Sequence, residues 1–186
     1  MSNVTFITGN PGKADFLAKN LDHPVDHKKL DLDELQSLDL QTVVDHKVRQ
    51  AYRLVGSPVL VEDVGLSFGA LGRLPGAFIK WFLSELGPEG ICNLLDAYED
   101  RSAIAAVCLA YFDGENLKFF NGQIAGSIAH KPSGANGYGW DAIFVRDGHD
   151  KTFAQMSDEE LARYSLRTTT IYPQIKKFLA DLDRIK

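Results

Sequence analysis

The chain has 186 residues, 45% of them hydrophobic and 24% charged, with a formal net charge of −5. That is enough for one domain with a sizeable core and no staples, and the acidic balance argues against a nucleic-acid polymer as partner, which would ask for a basic patch. The two cysteines, Cys92 and Cys108, lie in separate apolar segments, as buried free thiols do in a reducing compartment. The start carries no leader pattern, and no stretch nears the ~20 apolar residues of a membrane span, so the expectation is a cytoplasmic protein with no membrane partner.

The first strand is expected at Val4–Thr8 and a helix from Pro11 to Asn20, with Thr8-Gly9-Asn10-Pro11-Gly12-Lys13 between them. A strand running through a glycine turn into a helix aims free N–H groups at the turn, and the helix N-terminus favours negative charge there. Lys13 adds a cation and Asn10 an amide donor, so the corner suits a phosphate. It is not a Walker A loop: two residues, not four, separate the glycines, and Ala14 stands where the magnesium-binding hydroxyl would be. The same residues also read as a tight βα turn with a surface lysine.

Further along, Val25–Leu30 reads as a second strand, Asp31–Asp39 as an acidic loop, and Thr42–Val55, apolar at helical spacing, as an amphipathic helix. Pro58-Val59-Leu60-Val61 reads as a short buried strand that stops at Glu62-Asp63. Phe78–Leu86 and Pro88–Ala97 read as two helices parted by Gly87-Pro88. Ile104–Phe112 and Leu117–Ala129 read as long strands joined by the turn Asp113-Gly114-Glu115-Asn116. A glycine-rich loop spans Ser133–Gly139, and Ala142–Val145 is a short strand. Ser157 with Glu160 gives a capping box, and Thr169–Leu182 is the closing helix with Pro173 in its first turn. The order is mixed α/β, without the regular alternation of a Rossmann fold.

Phosphate chemistry with a hard cation takes one or two carboxylates plus the substrate's own oxygens. Glu62 and Asp63 lie at a strand end, where ligand sites often form. Neighbouring strand residues point to opposite faces, and Asp63, closer to the turn, is the better candidate. Glu34 is its best partner from the acidic loop, with Asp31 and Asp33 as rivals or as solvated loop residues. In Gly137-Tyr138-Gly139-Trp140-Asp141, Tyr138 is flanked by glycines and suits base stacking, which contributes about 1–3 kcal/mol per base. Trp140 reads equally as a stacking partner or as a core anchor. Lys47 and Lys80 could reach phosphates or be solvated, and the five histidines show no metal-ligand spacing.

Taken together, Thr8–Lys13, Val61-Glu62-Asp63-Val64-Gly65-Leu66, Leu74-Pro75-Gly76-Ala77-Phe78-Ile79-Lys80-Trp81-Phe82, Gly139-Trp140-Asp141-Ala142-Ile143-Phe144 and Lys151-Thr152-Phe153-Ala154-Gln155-Met156 resemble the inosine triphosphate pyrophosphatase family. The five segments run in family order over essentially the whole chain. The resemblance implies one α/β domain spanning 1–186, with a long curved mixed β-sheet flanked by two helical lobes, a central cleft and a homodimeric assembly. It implies Mg2+-dependent hydrolysis, with Mn2+ as an alternative ion, of nucleoside triphosphates such as ITP, dITP and XTP to monophosphate and pyrophosphate. By position, Thr8, Asn10, Lys13, Lys47 and Lys80 would hold phosphates, and Lys13 would stabilise the transition state. Glu34 and Asp63 would bind the metal, and Asp63 would also prepare the attacking water. Tyr138, Trp140 and Asp141 would line the base pocket, with Ser165 and Arg167 on the base side.

Two departures stand out. The family's Ser-His-Arg is Ser165-Leu166-Arg167 here, and a family lysine falls at Leu161, with Arg163 two residues on. A missing donor to a buried polar partner costs about 1–3 kcal/mol. Two other functions therefore stay open: a nucleotide-binding protein with weak hydrolysis, and a pyrophosphatase with altered base specificity, as in the similarly folded Maf family.

Overall fold

The computed structural model describes residues 4–21 and 23–185. Among them seven strands form one mixed sheet in the order β2-β1-β3-β5-β6-β7, with β4 beside β3. The chain divides into two compact units: Met1–Asp63, Val107–Gly122 and Arg167–Lys186 form the first, Val64–Ala106 and Gln123–Leu166 the second.

In the first unit, β1 (Val4–Ile7) pairs in parallel with β2 (Val25–Lys28) on one side and with the start of β3 (Val59–Phe68) on the other. Helix α1 (Pro11–Asn20) starts on a proline, which gives up only an N–H the first turn leaves unpaired. Helix α2 (Leu40–Val55) is capped by Asp39, whose carboxylate accepts the Gln41 N–H, and ends on Gly56 at φ 73, a left-handed position that suits glycine. Val43, Val44, Val48 and Ala51 make its buried face. Of these, Val44, Val48 and Ala51 form one core with Ile7, Val59, Val61, Cys108, Ala110 and Phe112. The second half of β5 (Ser102–Phe112) meets the first half of β6 (Leu117–Ile128) through a turn in which the Asp113 carboxylate accepts the N–H groups of Glu115 and Asn116. Helix α5 (Leu166–Thr170) and helix α6 (Tyr172–Ile185) follow, with Pro173 in the first turn of α6 and Phe178 edge-on to Tyr111 and Phe120.

The second unit contains β4 (Pro75–Gly76), α3 (Ile79–Leu94), β7 (Phe144–Arg146) and α4 (Asp158–Tyr164). Gly87, at φ 66 and ψ 174, divides α3 into two helical stretches, and Pro88 begins the second. The Ser157 and Glu160 capping box forms as expected: Ser157 N–H donates to Glu160 and Glu160 N–H donates back to Ser157 Oγ. Trp140, Phe144 and Phe153 stack into a buried aromatic cluster. Cys92 and Cys108 are buried free thiols. Burial, then the nearby carboxylates of Asp39, Asp63 and Glu62, pushes the Cys108 thiol up to about 12. No described helix is long and apolar enough to cross a membrane.

The largest correction to the sequence reading concerns β3. The strand does not stop at Glu62-Asp63 but runs on to Phe68. The reason lies at Gly65, where a Cβ would come within 3.1 Å of the Gly76 backbone. Glycine there lets β4 approach and pair, Leu66 with Gly76 and Ser67 with Pro75. Glu62 and Asp63 are therefore mid-strand residues on opposite faces. Smaller shifts follow from local turns. Strand β7 starts at Phe144, later than expected, because the N–H groups of Ile143 and Phe144 fold back onto the Trp140 carbonyl.

Candidate active site

The turn between β1 and α1 is built from its own side chains. Asn10 N–H donates to Thr8 Oγ1 at 3.1 Å, and Lys13 N–H donates to Asn10 Oδ1 at 3.2 Å. Asn10 is thus the N-cap of α1, which fixes the direction in which Lys13 leaves the helix. Because Ile7 pairs with Val61, the turn begins beside Glu62 at the same end of the sheet.

Two ion clusters grow from Glu62 and Asp63. On one face, Arg167 donates from Nε to Glu62 Oε2 at 2.8 Å and from Nη2 to Oε1 at 2.7 Å, a bidentate clamp. Lys13 Nζ lies 3.3 Å from the same Oε1. The Glu62 side chain is 1% exposed. Burial alone would raise its pKa; the charges of Arg167 and then Lys13 outweigh burial and hold it below the usual carboxylate range. On the other face, Lys47 Nζ donates to Asp63 Oδ2 at 3.0 Å and to Glu34 Oε1 at 3.4 Å. Burial works to lower the Lys47 pKa, but Asp63 and then Glu34 raise it overall. Asp33 is drawn elsewhere, in a reciprocal pair with the Gln50 amide at 2.9 and 3.0 Å, and this latch orients the loop that carries Glu34.

Among the described residues no group of three or more His, Cys, Asp or Glu side chains forms a metal cage. Two carboxylates sharing one ammonium are nonetheless the donor set that a hard divalent ion takes when phosphate oxygens complete its shell. Lys47 marks the point at which both carboxylates accept a positive charge.

The remaining candidates belong to the second unit. Asp141 Oδ2 accepts the Tyr138 N–H at 2.8 Å, which folds the glycine-rich loop. A Cβ on Gly137, at φ 76, would collide with that carboxylate. Tyr138 is half-buried, whereas Trp140 is buried against Phe144 and Phe153 and serves as the anchor of the loop. Ser165 is buried at the C-terminal cap of α4, its N–H donating to the Leu161 carbonyl, and Leu166 is buried beside it in the chain. Lys80 is exposed, its Nζ 5.3 Å from the Trp81 ring, and Arg163 is exposed over the Tyr164 ring.

The structure thus brings Lys13, Lys47, Glu34, Asp63 and Arg167 to neighbouring positions of one strand. Sequence reasoning missed Glu62 as the hub of the first cluster. Strand alternation was the available signal, since it requires Glu62 and Asp63 to meet different partners.

The Ham1 family model matches residues 4–175. The chain belongs to the Ham1 family. Its relatives include inosine triphosphate pyrophosphatase 2 of Trypanosoma cruzi, 40% identical over 172 residues that cover 90% of this chain and 88% of the relative. The inosine triphosphate pyrophosphatase of Yarrowia lipolytica is 40% identical over 185 residues, 96% of each chain. Among solved structures, the Ham1 protein of Staphylococcus aureus superposes with a TM-score of 0.80 at 26% identity, covering 96% of this chain and 99% of its own. A Ham1 protein from Coxiella burnetii, at 24% identity and a TM-score of 0.82, shares the fold. The mixed α/β fold expected from the sequence is therefore that of Ham1 proteins.

Proposed function

We propose that this Ham1 protein is a nucleoside triphosphate pyrophosphatase that hydrolyses ITP, dITP and XTP to the monophosphate and pyrophosphate, clearing non-standard purines from the nucleotide pool. The observation that carries the reading is a pair of adjacent strand carboxylates, each tied to a lysine from a different element: Glu62 to Lys13 of the turn, and Asp63 to Lys47 of α2. The names of its relatives, at 40% identity over most of the chain, supply the substrate class.

In this reading the Thr8–Lys13 turn receives phosphate oxygens through Asn10 and Lys13, at the end of α1 that favours anions. Lys47 turns from its carboxylates to the phosphates as these arrive, with Lys80 assisting. Glu34 and Asp63 hold Mg2+, or Mn2+ in its place, which when bound neutralises phosphate charge and lowers the pKa of bound water. Asp63 orients the water and accepts its proton as oxygen attacks the phosphorus. The α–β anhydride bond breaks, and pyrophosphate departs with its charge stabilised by Lys13. Tyr138 and Asp141 meet the base, Trp140 supports them from the core, and Ser165 and Arg167 act on the base side. The chain acts as a homodimer, a reading supported by the exposed Trp81 and Leu86 on α3, and its free thiols suit the cytoplasm.

A pyrophosphate-release screen over ITP, XTP, GTP, ATP and pyrimidine triphosphates with Mg2+ tests the proposal. Release from ITP well above ATP supports it; release from none refutes it. A second reading, altered base specificity, is favoured by Leu166, a buried apolar side chain where the family pattern has histidine. The same screen decides it, through a preferred triphosphate other than ITP or XTP.

A further inference from the structure

We propose that Glu62 is a positioning residue that joins the phosphate-binding lysine to the guanidinium of Arg167, so that the hold on the phosphates and the reading of the base depend on one buried carboxylate. The inference rests on the enzymatic reading above and adds to it a residue with no assigned role. Its basis is geometric. Three elements distant in sequence, α1, β3 and α5, each send one charged side chain to a common point. Oε1 of Glu62 is shared by Lys13 Nζ and Arg167 Nη2, and Oε2 takes Arg167 Nε. Both carboxylate oxygens are therefore committed to cations inside the protein. That suits an anchor rather than a metal ligand or a proton acceptor, the work left to the more exposed Asp63.

The arrangement has two consequences. A bidentate carboxylate fixes the plane of the guanidinium, and one edge of Arg167 is spent on Glu62, which sets the direction of the other. Lys13 sits on a flexible stem that would otherwise sample many rotamers, and the same oxygen restrains its tip. Moving either cation shifts the carboxylate and, with it, the other.

The test measures steady-state kinetics with ITP and ATP for wild type and Glu62→Gln, a neutral side chain of the same shape. Loss of the anchor is expected to lower kcat/KM for ITP about ten-fold or more, chiefly through KM, and to lower the ITP-over-ATP preference by about the same factor. A role in folding alone would scale both substrates equally and leave KM unchanged. Should Glu62→Gln fail to fold, a double-mutant cycle replaces it: Lys13→Met, Arg167→Lys and the combination, read as ITP affinity by calorimetry in the turnover-deficient Asp63→Asn background. Effects that fail to add support the shared anchor. Unchanged KM and preference in folded Glu62→Gln, or additive effects in the cycle, overturn it. Wild type that binds ITP without releasing pyrophosphate refutes the enzymatic reading while leaving the cycle to decide the anchor. Wild type that binds neither nucleotide ends both.

Discussion

Glu62 and Asp63 are neighbours in one strand, yet they occupy opposite electrostatic settings. Glu62 is sealed among its partners, its side chain 1% exposed and its charge balanced by Arg167 and Lys13. Asp63 is 22% exposed at the side chain and shares Lys47 with a glutamate that is 41% exposed. The pleat alone creates the difference, by turning successive side chains to opposite faces. A sealed carboxylate can hold a shape; a half-open one can exchange its partner for a substrate, a metal or a proton.

The sharpest way to separate the two is Asp63→Asn, which keeps shape and removes the proton acceptor. It is expected to cut pyrophosphate release about 10²–10⁴-fold while nucleotide binding by calorimetry persists; normal turnover would remove Asp63 from the mechanism. Stability should show the reverse ranking. Truncating Glu62 to alanine removes the bidentate carboxylate from a buried guanidinium and is expected to cost about 3–5 kcal/mol in urea unfolding. Truncating Glu34, an exposed ion-pair partner, is expected to cost less than about 1 kcal/mol. Equal costs would show that burial does not distinguish the clusters.

Next in size is the response to pH. Glu62 has its pKa lowered on folding, so its contribution is present above the unfolded value, near 4.5, and is lost as pH falls through the lower folded value. Lys47 has its pKa raised, so its contribution is present below 10.5 and is lost as pH rises through the higher folded value. Urea midpoints across pH should therefore show Glu62→Gln flattening the acid limb and Lys47→Met the alkaline limb. The smallest effect is expected at Gln50→Ala, which releases Asp33 and loosens the loop carrying Glu34. The metal concentration for half-maximal activity should rise about two- to five-fold, the order of one lost hydrogen bond.

What the sequence discloses follows the range of each interaction. The cap at Ser157 and the Asp113 turn were legible because their partners lie within four residues, whereas Asn10, read as a donor, turned out to cap α1 through its side-chain oxygen. The amphipathic face of α2 was legible because its period survives packing. The continuation of β3 was not, because the reason is another backbone segment pressed against Gly65. The two readings of Trp140 were separated only by the neighbouring rings of Phe144 and Phe153. The Arg167–Glu62 clamp joins residues 105 apart, which no local pattern reports. Charge type was readable in advance; the pairing of charges was not.

That separation also bears on the order in which the molecule can be made. Arg167 leaves the ribosome long after Glu62, so during synthesis the β3 carboxylate has only Lys13 as a clamp partner. Burying it before Arg167 arrives would strand a charge, a penalty large enough to keep that part of the first unit open. A nascent chain halted before α5 should thus remain sensitive to protease around β1 and α1, and a chain extended through α6 should close it.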